Sequence, residues 1–121
     1  MPKYVDGYVL PVPADKIDAY RKIASAAAKV FKEHGAIDYV ECVADDMEPP
    51  FGRPFPKAVN AKPNETVVFA WIVFKSRAHR DKVQAKVMKD PRMEAICGEN
   101  GGVPFNPKRM SWGGFKVIVQ G

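Results

Sequence analysis

The run from Thr66 to Phe74, TVVFAWIVF, is apolar at nearly every position. Successive side chains of a strand point to opposite faces, so Val68, Ala70, Ile72 and Phe74 belong to one side and Val67, Phe69, Trp71 and Val73 to the other. A strand of this kind has to be covered on both faces. The chain has 121 residues, enough for one domain with a modest core and too few for two. Its own helices can cover one face, and the second face needs another cover.

The flanking sequence supplies those helices. Apolar residues recur at Ile17, Tyr20, Ile23, Ala24, Ala27, Val30 and Phe31, the spacing of an amphipathic helix over Ala14 to His34, and Gly35 offers a left-handed stop. Ser76 caps a second helix over Arg77 to about Lys89, with a thinner apolar face of Ala78, Val83, Val87 and Met88. Asp90-Pro91 then restarts a short helical turn. Three further segments are expected as strands. These are Tyr4 to Val12, Ala36 to Ala44 (polar enough for a sheet edge) and Met110 to Val119, where Gly113-Gly114 marks a bulge or a close backbone approach.

An irregular Pro-rich excursion at about 47–64 excludes a regular helix or central strand there. Its Phe51, Phe55 and Val59 are expected to pack back onto the domain. Gly98 to Pro107 is expected as a Gly/Pro loop.

The order strand, helix, strand, strand, helix, strand predicts one α+β domain over residues 1–121. It is a ferredoxin-like βαββαβ unit with a four-stranded antiparallel sheet and two helices on one face. Aromatic groups on the other face would form an aggregation-prone patch if left in water. A second copy of the sheet is the economical cover, so a homodimer closed as a dimeric α+β barrel is expected, with a small cavity between the sheets.

Several stretches carry a resemblance: Tyr4-Val5-Asp6-Gly7, Val12-Pro13-Ala14-Asp15-Lys16, Val40-Glu41-Cys42, Val67-Val68-Phe69 with Trp71, Asp90-Pro91-Arg92-Met93, Lys108-Arg109-Met110 and Gly113-Gly114-Phe115. Over nearly its whole length the chain resembles the YbaA-like family of uncharacterised bacterial proteins, placed in the dimeric α+β barrel superfamily. The resemblance implies that fold and no particular activity. The stretch Met47 to Asn64 and the Gly101-Gly102 pair are where the chain departs most from the family pattern.

Composition narrows the chemistry by exclusion. Hydrophobic residues at 46% and charged residues at 27% are those of a soluble globular protein. No apolar run reaches the length needed to span a bilayer, and the N-terminus carries Asp6 in place of a leader's apolar core. No membrane association and a cytoplasmic location are therefore expected. The net charge of +5 is spread over helix faces without a basic block, which argues against nucleic acid. An RNA-recognition motif shares the element order, but its third-strand signature is not found in Thr66 to Phe74. Phosphate-cradling glycine motifs are absent as well, and no cofactor is expected.

Cys42 and Cys97 stand apart and are expected as reduced, partly buried thiols. His34 falls in the last turn of the first helix, where a cation suits the dipole, and His79 near a helix start is expected to be structural. Asp45-Asp46 marks a turn, and Lys108-Arg109 flanks the last strand.

Glu41 is the candidate acid/base, a carboxylate on the strand face it shares with Tyr39. Trp71, Phe69 and Tyr39 are the candidate substrate-binding walls. Two functions remain open on these residues. One is a cofactor-independent enzyme acting on a small apolar or aromatic metabolite in the dimer cavity. The other is a non-catalytic ligand-binding or structural homodimer.

Overall fold

A computed structural model of the chain describes residues 3–97 and 103–121. The strands are β1 (Tyr4–Pro13), β2 (Asp38–Val43), β3 (Glu65–Phe74) and β4 (Ser111–Lys116). The helices are α1 (Ile17–Glu33), α2 (Phe55–Ala58), α3 (Arg77–Lys89) and α4 (Pro91–Cys97). The four strands form one antiparallel sheet in the order β2-β3-β1-β4. This order follows from the split βαβ connectivity, which places the first and third strands at the centre and the other two at the edges.

The helices take up the face of Val68, Ala70, Ile72 and Phe74. Val30 of α1, Val83 and Val87 of α3, and Ile72 and Phe74 of β3 are all buried in one cluster. Leu10, Val12 and Val68 form a second, with Ile17, Tyr20, Phe105 and Met110 packed on it. The α1 stripe therefore packs as its spacing predicts. On α3 only Val83 and Val87, one turn apart, are buried; Ala78 is exposed, and Met88, one position past Val87, turns to solvent.

Several local expectations are corrected. The last strand ends at Lys116, and Ile118 and Val119 stand exposed beyond it. Gly113-Gly114 marks no bulge, because the β1·β4 register runs unbroken from Tyr4↔Lys116 to Val9↔Ser111. It marks a close approach: a Cβ at Gly114 would fall 2.6 Å from Tyr4 Cε2.

Within the Pro-rich excursion a single helical turn forms, with Pro56 accommodated in its first turn, where no N–H is needed. Phe55 packs against Phe69 at 6.1 Å between ring centroids, whereas Phe51 is exposed. Both cysteines are exposed rather than partly buried, Cys42 on an edge strand and Cys97 at the end of α4. The Gly98-to-Pro107 loop lies partly outside the described residues, and Gly101-Gly102 wholly so.

Candidate functional site

One row of residues runs across the helix-covered face of the sheet: Tyr8 on β1, Ala70 on β3 and Glu41 on β2 are register partners. Ala70 is the small member of the row, and Ala24 and Ala27 of α1 are buried in the layer above it. Short side chains above and below leave a space, a cavity of about 160 Å³ lined mainly by apolar groups from the sheet, α1, α4 and the segment around Phe105. An apolar cavity of this size accommodates a benzene ring.

Among the described residues, Glu41 is the one carboxylate in its wall. Tyr20 of α1 donates its hydroxyl to Glu41 Oε1 at 2.6 Å, and Tyr39, two residues along β2, donates to Oε2 at 2.9 Å. Burial pushes the Glu41 carboxyl above its ordinary range, against the two tyrosine hydrogen bonds, which hold it down. Burial also raises the hydroxyls of Tyr8, Tyr20 and Tyr39, with the Glu41 charge acting in the same direction on each. All three phenols are held in the protonated form, and Tyr20 and Tyr39 act as donors. Phe105 packs edge-on against Tyr20 at 5.6 Å, Phe31 lies tilted against Tyr39 at 5.7 Å, and Trp112 stacks on Tyr8 at 5.7 Å, so the ring positions are set by neighbours.

Of the candidate residues, the structure brings Glu41 and Tyr39 together and sets Trp71 and Phe69 apart from them. Trp71 pairs with Val40 and Phe69 with Cys42, which puts both rings on the face away from α1 and α3, where Phe55 of α2 packs against Phe69. There they line a groove of about 600 Å³ with Val5, Val9 and Phe115. Gly7 and Gly113 are the register partners beside Trp71, and their missing side chains open that groove.

Tyr20, which spacing places on the apolar stripe of the first helix, and Tyr8, which the sequence places only within the first strand, also line this pocket. The signal was present for Tyr20, a phenol on a buried stripe whose hydroxyl must find a partner.

The remaining polar residues hold the scaffold. His34 Nε2 lies 2.8 Å from Asp90 Oδ2, and Arg92 contacts the same carboxylate, joining the end of α1 to the start of α4. His79 Nδ1 accepts from the Lys75 backbone N–H, and its ring packs edge-on to Phe74. Asp46 accepts from the Glu48 N–H in the irregular segment after β2, where no backbone turn forms. Arg109 clamps Glu65 with bonds of 2.6 and 2.9 Å and holds that carboxyl down at about 2. Among the described residues no group of three or more metal-ligating side chains is found, and no helix is long and apolar enough to cross a membrane.

Fold and site together define a small α+β domain with an open antiparallel sheet and a tyrosine-held carboxylate in a pocket beneath its helices. The chain belongs to the family described as "Protein of unknown function (DUF1428)", whose profile matches residues 3–107. It is 50% identical over 117 residues to the "Uncharacterized protein YbaA" of Escherichia coli (strain K12), covering 97% of each chain, and equally to that of Shigella flexneri. Among solved structures it is similar to an uncharacterized NIPSNAP domain protein from Burkholderia xenovorans, with a TM-score of 0.57, 14% identity, and 96% of this chain and 94% of that one covered. A NIPSNAP family protein of unknown function from Agrobacterium tumefaciens gives the same TM-score at 16% identity, with 96% and 88% covered. At such identities the likeness is one of fold.

Proposed function

We propose that the chain is a cofactor-independent enzyme that binds a small apolar or aromatic metabolite in the Glu41 pocket and moves a proton on it. The observation that carries this reading is a single carboxylate, raised by burial and aimed by two phenols, in the wall of an otherwise apolar cavity of ring size. Burial moves the proton affinity of that carboxylate in the direction a general base needs. The step that fits is removal of a proton from carbon beside a carbonyl. The C–H bond breaks, its electron pair moves toward the carbonyl oxygen, and Glu41 returns the proton at another atom of the same molecule. No oxidant or reductant enters.

The test is proton–deuterium exchange at the α-carbon of small aryl ketones in heavy water, followed by NMR with the whole chain. Exchange above buffer is expected, falling by about a hundredfold or more in Glu41→Gln. Resonance shifts of pocket residues without exchange would favour the non-catalytic ligand-binding alternative. No shift with any ketone would overturn the pocket reading.

We further propose that the chain pairs with a second copy through the other sheet face. Phe69 and Phe115 are 43% and 63% exposed there, beside Trp71, and burying side chains of this size is worth roughly 1.5–3 kcal/mol each. A second sheet offers the complementary flat apolar surface.

A further inference from the structure

The Tyr20–Glu41 hydrogen bond stands between two cavities. On its inner side is the ring-sized chamber; on its outer side a groove of about 320 Å³ lies between α1 and β2. Tyr20, Ala24, Tyr39 and Glu41 line both spaces, so these side chains act as a partition.

The two chambers differ in chemistry. Arg21 and Ser25 line the outer groove and not the inner chamber. Among the described residues Arg21 is tied only to Asp18, at 3.4 Å, with the two side chains 71% and 90% exposed. Such a pair contributes little, and the guanidinium can exchange it for a better acceptor.

We infer that the two chambers are halves of one binding site, and that its ligand is an aryl-substituted keto acid, a ring joined through a carbonyl-bearing chain to a carboxylate. Its ring occupies the inner chamber, its chain passes Glu41, and its carboxylate meets Arg21 and Ser25. This rests on the Glu41 pocket reading and names its substrate class.

The passage also has a chemical consequence. A chain crossing the partition displaces the Tyr20 hydroxyl from Glu41 Oε1, while Tyr39 keeps its hold on Oε2. The freed Oε1 is the lone pair that accepts a carbon-bound proton. The freed Tyr20 hydroxyl becomes the donor for the ligand's carbonyl oxygen as negative charge develops there. In the empty site the base and the donor satisfy each other, and the substrate separates them.

The experiment is calorimetric titration of the whole chain with toluene and with a series of ω-phenylalkanoates from phenylacetate to 5-phenylpentanoate, on the natural protein and on Arg21→Gln. One chain length is expected to bind about tenfold tighter than toluene, the gain of one well-placed guanidinium–carboxylate contact. Arg21→Gln should abolish that gain and leave toluene binding unchanged. If toluene binds and no acid binds more tightly, or if the gain survives Arg21→Gln, the two-chamber inference is overturned and the pocket reading stands. If neither toluene nor any acid binds, both fall.

Discussion

Tyr20 Oη lies 2.6 Å from Glu41 Oε1 and ties the first turn of α1 to the edge strand β2 across 21 residues of sequence separation. Hydrogen bonds to ionised groups in partly buried surroundings contribute about 1.5–3 kcal/mol. Tyr20→Phe keeps the ring against Phe105 and removes only the donor. A loss of about 1.5 kcal/mol in urea unfolding is expected, with a further rise in the Glu41 pKa read by carboxyl-carbon NMR. An unmoved Glu41 titration would show that the hydroxyl does not act on the carboxylate in solution.

The raised Glu41 carboxyl has a definite signature in stability against pH. Folding strengthens its proton affinity, so its contribution is full below the ordinary value of 4.5 and is lost as pH rises through the folded-state value. Asp6 has the same sign, raised by burial against the pull of Arg80 and Gln84. Glu65 has the opposite sign: its contribution is present above 4.5 and lost as pH falls toward about 2. Glu41→Gln should therefore flatten the decline above pH 4.5, and Glu65→Gln the rise below it. Urea midpoints measured from roughly pH 3 to pH 8 separate the two limbs.

Ala70 is where the pocket can be closed without touching its polar groups. It sits between Tyr8 and Glu41 in the sheet row and is 4% exposed, so Ala70→Ile projects directly into the cavity. Filling existing space with a β-branched residue in a central strand should keep stability within about 1.5 kcal/mol of the natural protein. Toluene binding and any α-carbon exchange should disappear together. Full binding in a folded Ala70→Ile protein would place the ligand elsewhere.

The legibility of these features follows their period. The two-sided strand, the α1 stripe and the helix caps at Ser76 and Asp90 are local patterns, and the elements they predict are present. Strand alternation also assigned Tyr39 and Glu41 to one face and Val40 and Cys42 to the other, as the register has them. What alternation within each strand cannot give is the pairing between strands. Whether Glu41 shares a face with Trp71 or with Ala70 depends on a one-residue choice of register. The Glu41 site was legible as residues and not as a place, because its second phenol arrives from α1, 21 residues away.

Asp6 is the clearest case of a polar residue that the strand pattern hid. It stands on the helix-covered face between Tyr4 and Tyr8 with no exposure, accepts from Gln84 at 2.8 Å, and lies 3.6 Å from Arg80 Nη1. Arg80 also covers the Tyr4 ring at 4.9 Å and is 13% exposed, so the pair is held inside the β1–α3 contact. Asp6→Ala removes the buried counter-charge of that guanidinium, leaving it the exposed Asp81 carboxylate at 3.2 Å, and should cost about 3 kcal/mol in urea unfolding. Asp6→Asn keeps an acceptor for Gln84 and relieves the burial of charge, so a smaller loss is expected. Equal losses would mean that packing, and not charge, decides the site.

The open sheet face makes the last prediction. Phe115 pairs with Val5 on β1 and stands on the same side as Trp71 and Phe69, next to the glycine gap at Gly7 and Gly113. A partner sheet laid on this surface would remove Phe115 and Phe69 from water in both copies, four large rings in all. A charge at position 115 would then be buried once in each copy, and buried charge without a counter-ion destabilises an interface. Phe115→Glu should leave the fold intact, since the side chain is 63% exposed in the single chain, and should convert a homodimer to a monomer. Light scattering coupled to size exclusion at micromolar concentration reads the mass directly. A monomer mass for the natural protein would remove the second sheet as the cover for Trp71, and a dimer that survives Phe115→Glu would move the interface to another surface.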